Sequence, residues 1–315
     1  MDDILYYIFT FLNVKDIIKC STICKQFYTI SKLEQLWKGI NKKETNICLN
    51  NSYCNTYKIG HTLKKFTKLP SLDKIYNLQE LRQGNTKITV IPSEIGYLIN
   101  LHTLVLFNNQ LTVIPSEISL LINLQKIVLS ANELVSIPLE IAHLTNLQKL
   151  VLNQNKINII PPVISQLKNL QKLDLNQNKI NIIPPVINQL KNLQKLKLSC
   201  NCLMIIPPEI GHLTNLIKLE LFGNQIRVIP PEISNLTNLQ ILDLCDNQVS
   251  VIPSEVGKLN KLRVLDLSTN KIVHIAPEIR KLNNLHKFDL SNNPITNYYP
   301  LIIYDCQHIN DKYWT

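Results

Sequence analysis

The chain has 315 residues, 45% of them hydrophobic, and a formal net charge of +10. No run approaches the length of a membrane span, and eight cysteines without paired C-x-x-C spacing point to reduced thiols rather than a disulfide framework. Residues 1–77 carry 12 Lys against six Asp or Glu, and residues 78–315 carry 21 Lys or Arg against 17; these cations are dispersed without interleaved aromatics, so no nucleic-acid surface is expected.

Residues 1–40 place apolar side chains at helical spacing in Ile4, Leu5, Ile8, Phe9 and Leu12. Asp16-Ile17-Ile18 then opens a second helix, capped by Asn13 or Asp16, and a third pattern ends at Leu36-Trp37. Asp2 and Asp3 stand where a signal peptide carries positive charge, so the stretch from Ile4 to Leu12 is not a secretion signal and a cytoplasmic chain is expected. Three short helices cannot bury all of this apolar surface alone, which predicts a partner. Ile4-Leu5, Ile8-Phe9, Leu12, Asp16-Ile17-Ile18, Ile23-Cys24, Phe27 and Leu36-Trp37 together resemble an F-box. The resemblance implies that Ile4, Leu5, Ile8, Phe9, Leu12, Ile17, Phe27 and Trp37 dock on a Skp-family adaptor, which bridges to a cullin-RING ubiquitin ligase. The other reading of the same residues is a helical cap over the segment that follows.

Residues 41–77 read as a linker and N-terminal cap, with a helix-like stretch from Tyr53 to Phe66. From Leu78 the chain repeats every 23 residues, at Leu101, Leu124, Leu147, Leu170, Leu193, Leu216, Leu239, Leu262 and Leu285, in the pattern L-x-x-L-x-L-x-x-N-x-I-x-x-I-P-x-x-I-x-x-L-x-N. A fixed period of this length means a solenoid. Alternation such as Leu173-Asp174-Leu175 predicts one short strand per repeat with one buried face, stacked in parallel on the next. The column Asn109, Asn132, Asn155, Asn178, Asn201, Asn224, Asn247, Asn270 and Asn293 follows each strand, where the chain turns inward; Asn offers both donor and acceptor to backbone groups left there. Ile-Pro closes the turn, and about nine residues before the next strand leave room only for short helical turns or irregular chain. The pattern resembles the leucine-rich repeat. That resemblance implies an α/β solenoid, a horseshoe with a parallel sheet on its concave face, over residues 78–295, with residues 296–315 as a C-terminal cap.

Positions flanking the inner leucines form columns on the concave face, spaced by about 4.8 Å. Lys126, Lys149, Lys172, Lys195 and Lys218 make one column; Asp174, Lys197, Glu220, Asp243, Asp266 and Asp289 make its neighbour. In water, two charges at that spacing repel by under about 1 kcal/mol, so a solvated face of interleaved charge is one expectation. The other is a binding site for an unidentified protein, with Val105, Val128, Val151, Phe107 and Phe222 as apolar contacts, Lys126, Lys149, Lys172, Lys195 and Lys218 as cations, and Asp243 and Asp266 as an acidic patch.

No catalytic, cofactor or metal site is expected. The seven histidines fall at scattered phases of the repeat, seven glycines form no phosphate loop, and Cys245 sits where a small polar residue usually stands. The expected function is a substrate-recognition adaptor of a Skp-cullin-F-box ubiquitin ligase. The alternative is a scaffold with no ubiquitin link, binding a signalling protein such as a small GTPase or a phosphatase.

Overall fold

A computed structural model describes residues 62–68 and 75–296. Two compact units make up the chain: Met1–Gln79 with Pro92–Asn100, and Glu80–Ile91 with Leu101–Thr315. In the first unit, residues 62–67 are helical and bury Leu63, so of the helix expected from Tyr53 to Phe66 only the last turns fall among the described residues. Ile75 and Tyr76 are buried, and the Asn100 side-chain amide donates to the Tyr76 carbonyl at 3.3 Å. A 3-10 turn spans Ser93–Tyr97. Burial, aided by Tyr97, pushes the Tyr76 phenol up to about 12.

The second unit is the solenoid. Its ten three-residue strands are β1 (Glu80–Arg82), β2 (Thr103–Val105), β3 (Lys126–Val128), β4 (Lys149–Val151), β5 (Lys172–Asp174), β6 (Lys195–Lys197), β7 (Lys218–Glu220), β8 (Ile241–Asp243), β9 (Val264–Asp266) and β10 (Lys287–Asp289). They form one parallel sheet in sequence order. Register is set by the repeat: each residue pairs with the one 23 positions later, as Leu150 with Leu173 and Leu173 with Leu196. Leu81, Leu104, Ile127, Leu150, Leu173, Leu196, Leu219, Leu242 and Leu265 point inward and are buried; in β10 the last of the column, Phe288, is half-buried.

After β1 the backbone takes two left-handed residues, Asn85 (φ 59) and Lys87 (φ 58), and after each later strand one, including Gly223 (φ 66), Thr269 (φ 53) and Asn292 (φ 56), which swings the chain inward. The asparagine column then knits repeats together. Asn178 Oδ1 accepts the Ile157 N–H at 3.0 Å, while its Nδ2 donates to the carbonyls of Leu152 and Leu175, each at 3.0 Å. Asn132, Asn155, Asn201, Asn224, Asn247 and Asn270 repeat this pattern. Each amide thus satisfies three backbone groups in a dry interior, the service expected of it from sequence.

The return segments are single 3-10 turns, such as Pro162–Gln166, Pro185–Gln189 and Pro208–His212. Proline suits this place because its fixed φ is near that of the turn and its missing N–H would have had no partner. Successive turns pack closely: a Cβ on Gly257 would lie 2.3 Å from the Glu278 carbonyl oxygen, so only glycine fits. Among the described residues no helix is long and apolar enough to cross a membrane.

Candidate functional site

The concave face is the outer surface of the ten-stranded sheet. Its first column runs Glu80, Thr103, Lys126, Lys149, Lys172, Lys195, Lys218, Ile241, Val264, Lys287, and its second runs Arg82, Val105, Val128, Val151, Asp174, Lys197, Glu220, Asp243, Asp266, Asp289. Both charge columns read from the sequence are in register. A third column, just past the strands, carries Phe107 (41% exposed) and Phe222 (37% exposed), with Ser130, Asn153, Asn176 and Ser199 between them. The Phe107 ring lies against the backbone of Gly84, where a Cβ would come within 2.3 Å of it.

The face is not uniformly solvated, unlike the simplest expectation for its charges. Lys149 and Lys195 are exposed and Lys126, Val128, Val151 and Lys172 half-buried, but Val105, Lys218, Asp243 and Asp266 are buried. The cause is crowding between adjacent strands, which lets long side chains cover their neighbours and pair. Lys172 meets Asp174 at 3.1 Å, Lys197 meets Glu220 at 3.2 Å from the next strand, Lys218 also contacts Glu220, and Lys287 meets Asp266 at 2.8 Å. Phe107, Val128, Val151, Lys149, Lys195 and Phe222 are therefore more accessible on this face than the buried charges.

These pairs shape protonation. Burial opposes the charge on Glu220, yet the hydrogen bond from Lys218 and the cations of Lys197 and Lys218 hold its carboxyl below the ordinary value. On its strand Asp243 has Ile241 in the place of a lysine, and Lys287 favours its charge only in part. Asp243 accepts the Cys245 N–H at 3.1 Å, and burial, with Asp266 and Glu220 beside it, pushes its carboxyl up to about 6. Burial also raises the Cys245 and Cys200 thiols, the reverse of what an activated nucleophile needs. Cys200, Cys202 and Cys245 are free.

A second surface was not singled out from sequence. A groove of about 480 Å³ is lined by Gln125, Gln148, Gln171 and Gln194 and by Asn146, Asn169, Asn192 and Asn215. The asparagines are fixed by Nδ2 donation to the carbonyls of Ile122, Thr145, Lys168 and Lys191 in the preceding repeat. The N of the recurring N-L-Q triplet was its signal.

The predicted adaptor-docking residues Ile4, Leu5, Ile8, Phe9, Leu12, Ile17, Phe27 and Trp37 lie outside the described residues.

Comparison with known proteins bears on both halves. Family models match residues 122–180 as leucine rich repeat, 192–213 as leucine rich repeat and 208–299 as a leucine-rich repeat region. Among solved structures, a leucine-rich-repeat protein of Leptospira interrogans is 33% identical, with 74% of this chain and 77% of that one covered and a TM-score of 0.55. The chain belongs to the leucine-rich-repeat proteins. Residues 2–43 of this leucine-rich-repeat protein match the F-box-like family, which makes it an F-box and leucine-rich-repeat chain. It is also similar to the plant peptide hormone receptor RGFR1 in complex with RGF2 (31% identity, TM-score 0.62) and to a TDR receptor (29%, TM-score 0.65), in each case over 70% of its own length. It spans only 37% and 40% of those two receptor chains. No curated protein matches it. Both families supply protein-interaction modules, so the chain is built as an interaction adaptor.

Proposed function

We propose that this chain is the substrate-recognition adaptor of a Skp-cullin-F-box ubiquitin ligase and acts in the cytoplasm. Residues 1–40 dock on the Skp-family adaptor, residues 41–77 and 296–315 cap the array, and the repeats of residues 78–295 hold the target protein. The observation that carries this reading is an F-box-like segment at residues 2–43 in the same chain as a parallel concave sheet that displays Phe107, Lys149, Lys195 and Phe222. One similar protein is a plant peptide hormone receptor in complex with RGF2, which supports a polypeptide as the target of repeats of this kind. Aromatic anchors supply most of the contact energy, and the cations give orientation and association rate.

Affinity purification tests the proposal. The full chain should recover a Skp adaptor and a cullin, and Ile8→Asp with Phe9→Asp should lose both. If both proteins are retained with the double change, the chain is a scaffold with no such link. Phe107→Ala with Phe222→Ala should reduce target capture while leaving adaptor and cullin recovery unchanged. Unchanged capture would move the target site off the concave face.

A further inference from the structure

A row of aliphatic side chains stands outward on the flank of the solenoid, just before the Ile-Pro step of each repeat. Val113, Ile159, Ile182, Ile205, Val228 and Val251 are each between 57% and 63% exposed, while the Ile that follows each of them is buried. A parallel bridge joins Val251 to His274, the next place along the row, and at each place the row residue faces outward while the Ile after it is buried. The row is broken only at Ser136, and beside that gap Leu139 is 62% exposed. Three positions beyond the row runs a parallel column of outward Pro162, Pro185, Pro208 and Pro231. From Val113 to Ser254 neither column holds a charged residue. On a chain of net charge +10 this is an apolar strip with a polar margin, Glu117, Glu140, Glu209, Glu232 and Glu255 on one side and Lys156, Lys179 and Arg227 on the other.

We infer that this strip is the interface through which two copies of the chain associate, strip against strip, leaving both concave faces open. Isolated surface aliphatics need no explanation, but a contiguous row does. Burying one Val or Ile side chain removes about 60–120 Å² of apolar surface, so six of them at three-fifths exposure leave about 200–450 Å² in one row. With Leu139 and the proline column the strip approaches the roughly 500 Å² of apolar area in each half of an ordinary interface of about 800 Å² per partner. The identity of the occupant follows from the pattern. A two-fold interface requires one patch to be complementary to itself, and a charge-free row with one side chain per repeat, at a spacing of about 4.8 Å, meets that condition against its own copy. Rigid β-branched side chains and prolines lose little conformational freedom on burial, and the acidic and basic margins supply the rim.

Sedimentation velocity of the full chain over a wide concentration range tests this. The parent protein should pass from monomer to dimer as concentration rises, and Ile159→Lys with Ile205→Lys should stay monomeric with an unchanged circular dichroism spectrum. Glu at the same two positions should also give a monomer, and mixing the Lys and Glu proteins should restore the dimer mass. A parent protein that is monomeric throughout, a double-Lys protein that dimerises like the parent, or a mixture that stays monomeric would each overturn the inference. Retention of adaptor and cullin by the double-Lys protein would show that ligase docking is separate from this contact.

Discussion

Asn178 shows how much one side chain carries in this fold. Its amide satisfies the Ile157 N–H and the Leu152 and Leu175 carbonyls, and alanine would leave all three facing a dry interior. Partial relaxation and water entry reduce the full penalty, so Asn178→Ala should cost about 2–4 kcal/mol, read from the urea midpoint. Ahead of each asparagine stands the left-handed residue, and here the sequence is not uniformly adapted. Gly223 (φ 66) is at ease, whereas Thr269 (φ 53) is a β-branched residue in a region such side chains resist. Thr269→Asn should stabilise by about 0.5–1 kcal/mol, while Gly223→Ala should destabilise by about 1–2 kcal/mol. Asp243 gives a pH signature. It titrates near about 4 in the unfolded chain and at about 6 in the fold, so over that window the native state holds a proton that the unfolded state has lost. Its contribution is therefore most favourable below about pH 4 and declines as pH rises to about 6. Asp243→Asn should raise stability near pH 7 by up to about 3 kcal/mol, and the gain over the parent should shrink towards pH 4.

At the scale of strands and turns, the fixed period made strand positions, parallel order, register and the asparagine column legible, because one repeat solved is all repeats solved. The short 3-10 returns were legible too, from the count of residues between proline and the next strand. Depth was not. Lys218 and Asp243 sit in columns that the sequence marks as outward, yet both are buried, Lys218 in an ion pair with Glu220 and Asp243 as acceptor of the Cys245 N–H, and such pairing leaves no trace in periodicity. The flanking apolar strip was missed for the opposite reason, since Ile159, Ile182 and Ile205 look like core residues. Their signal was present: in the pairs Ile159-Ile160, Ile182-Ile183 and Ile205-Ile206 an extended chain can bury only one member. The inner leucines behave as their pattern implies. Leu173 has no exposed surface, and Leu173→Ala should cost about 2–5 kcal/mol through the cavity left behind, measurable by the same denaturant titration.

For the whole molecule, two protein-interaction families share one chain: an F-box-like segment at residues 2–43 and the leucine-rich repeats that follow it. The face they offer is graded along the array. β2 to β4 present Val128, Val151, Lys149 and the nearby Phe107, whereas β7 to β10 carry Glu220, Asp243, Asp266 and Asp289. A partner with an acidic, apolar end and a basic end would lie along this gradient in one direction only, which sets polarity of binding more than strength.

The stitching of each asparagine to the turn immediately before it has a further consequence for how such a chain tolerates change. Excising one complete unit, for instance residues 159–181, would bring Ile182 to the place of Ile159 and recreate the same amide contacts across the scar. The array would shorten by one rung of about 4.8 Å and heal. Excision of any other length would throw each later leucine out of step. Reach is therefore adjustable in whole rungs, and span can be tuned to a target without redesigning the interior.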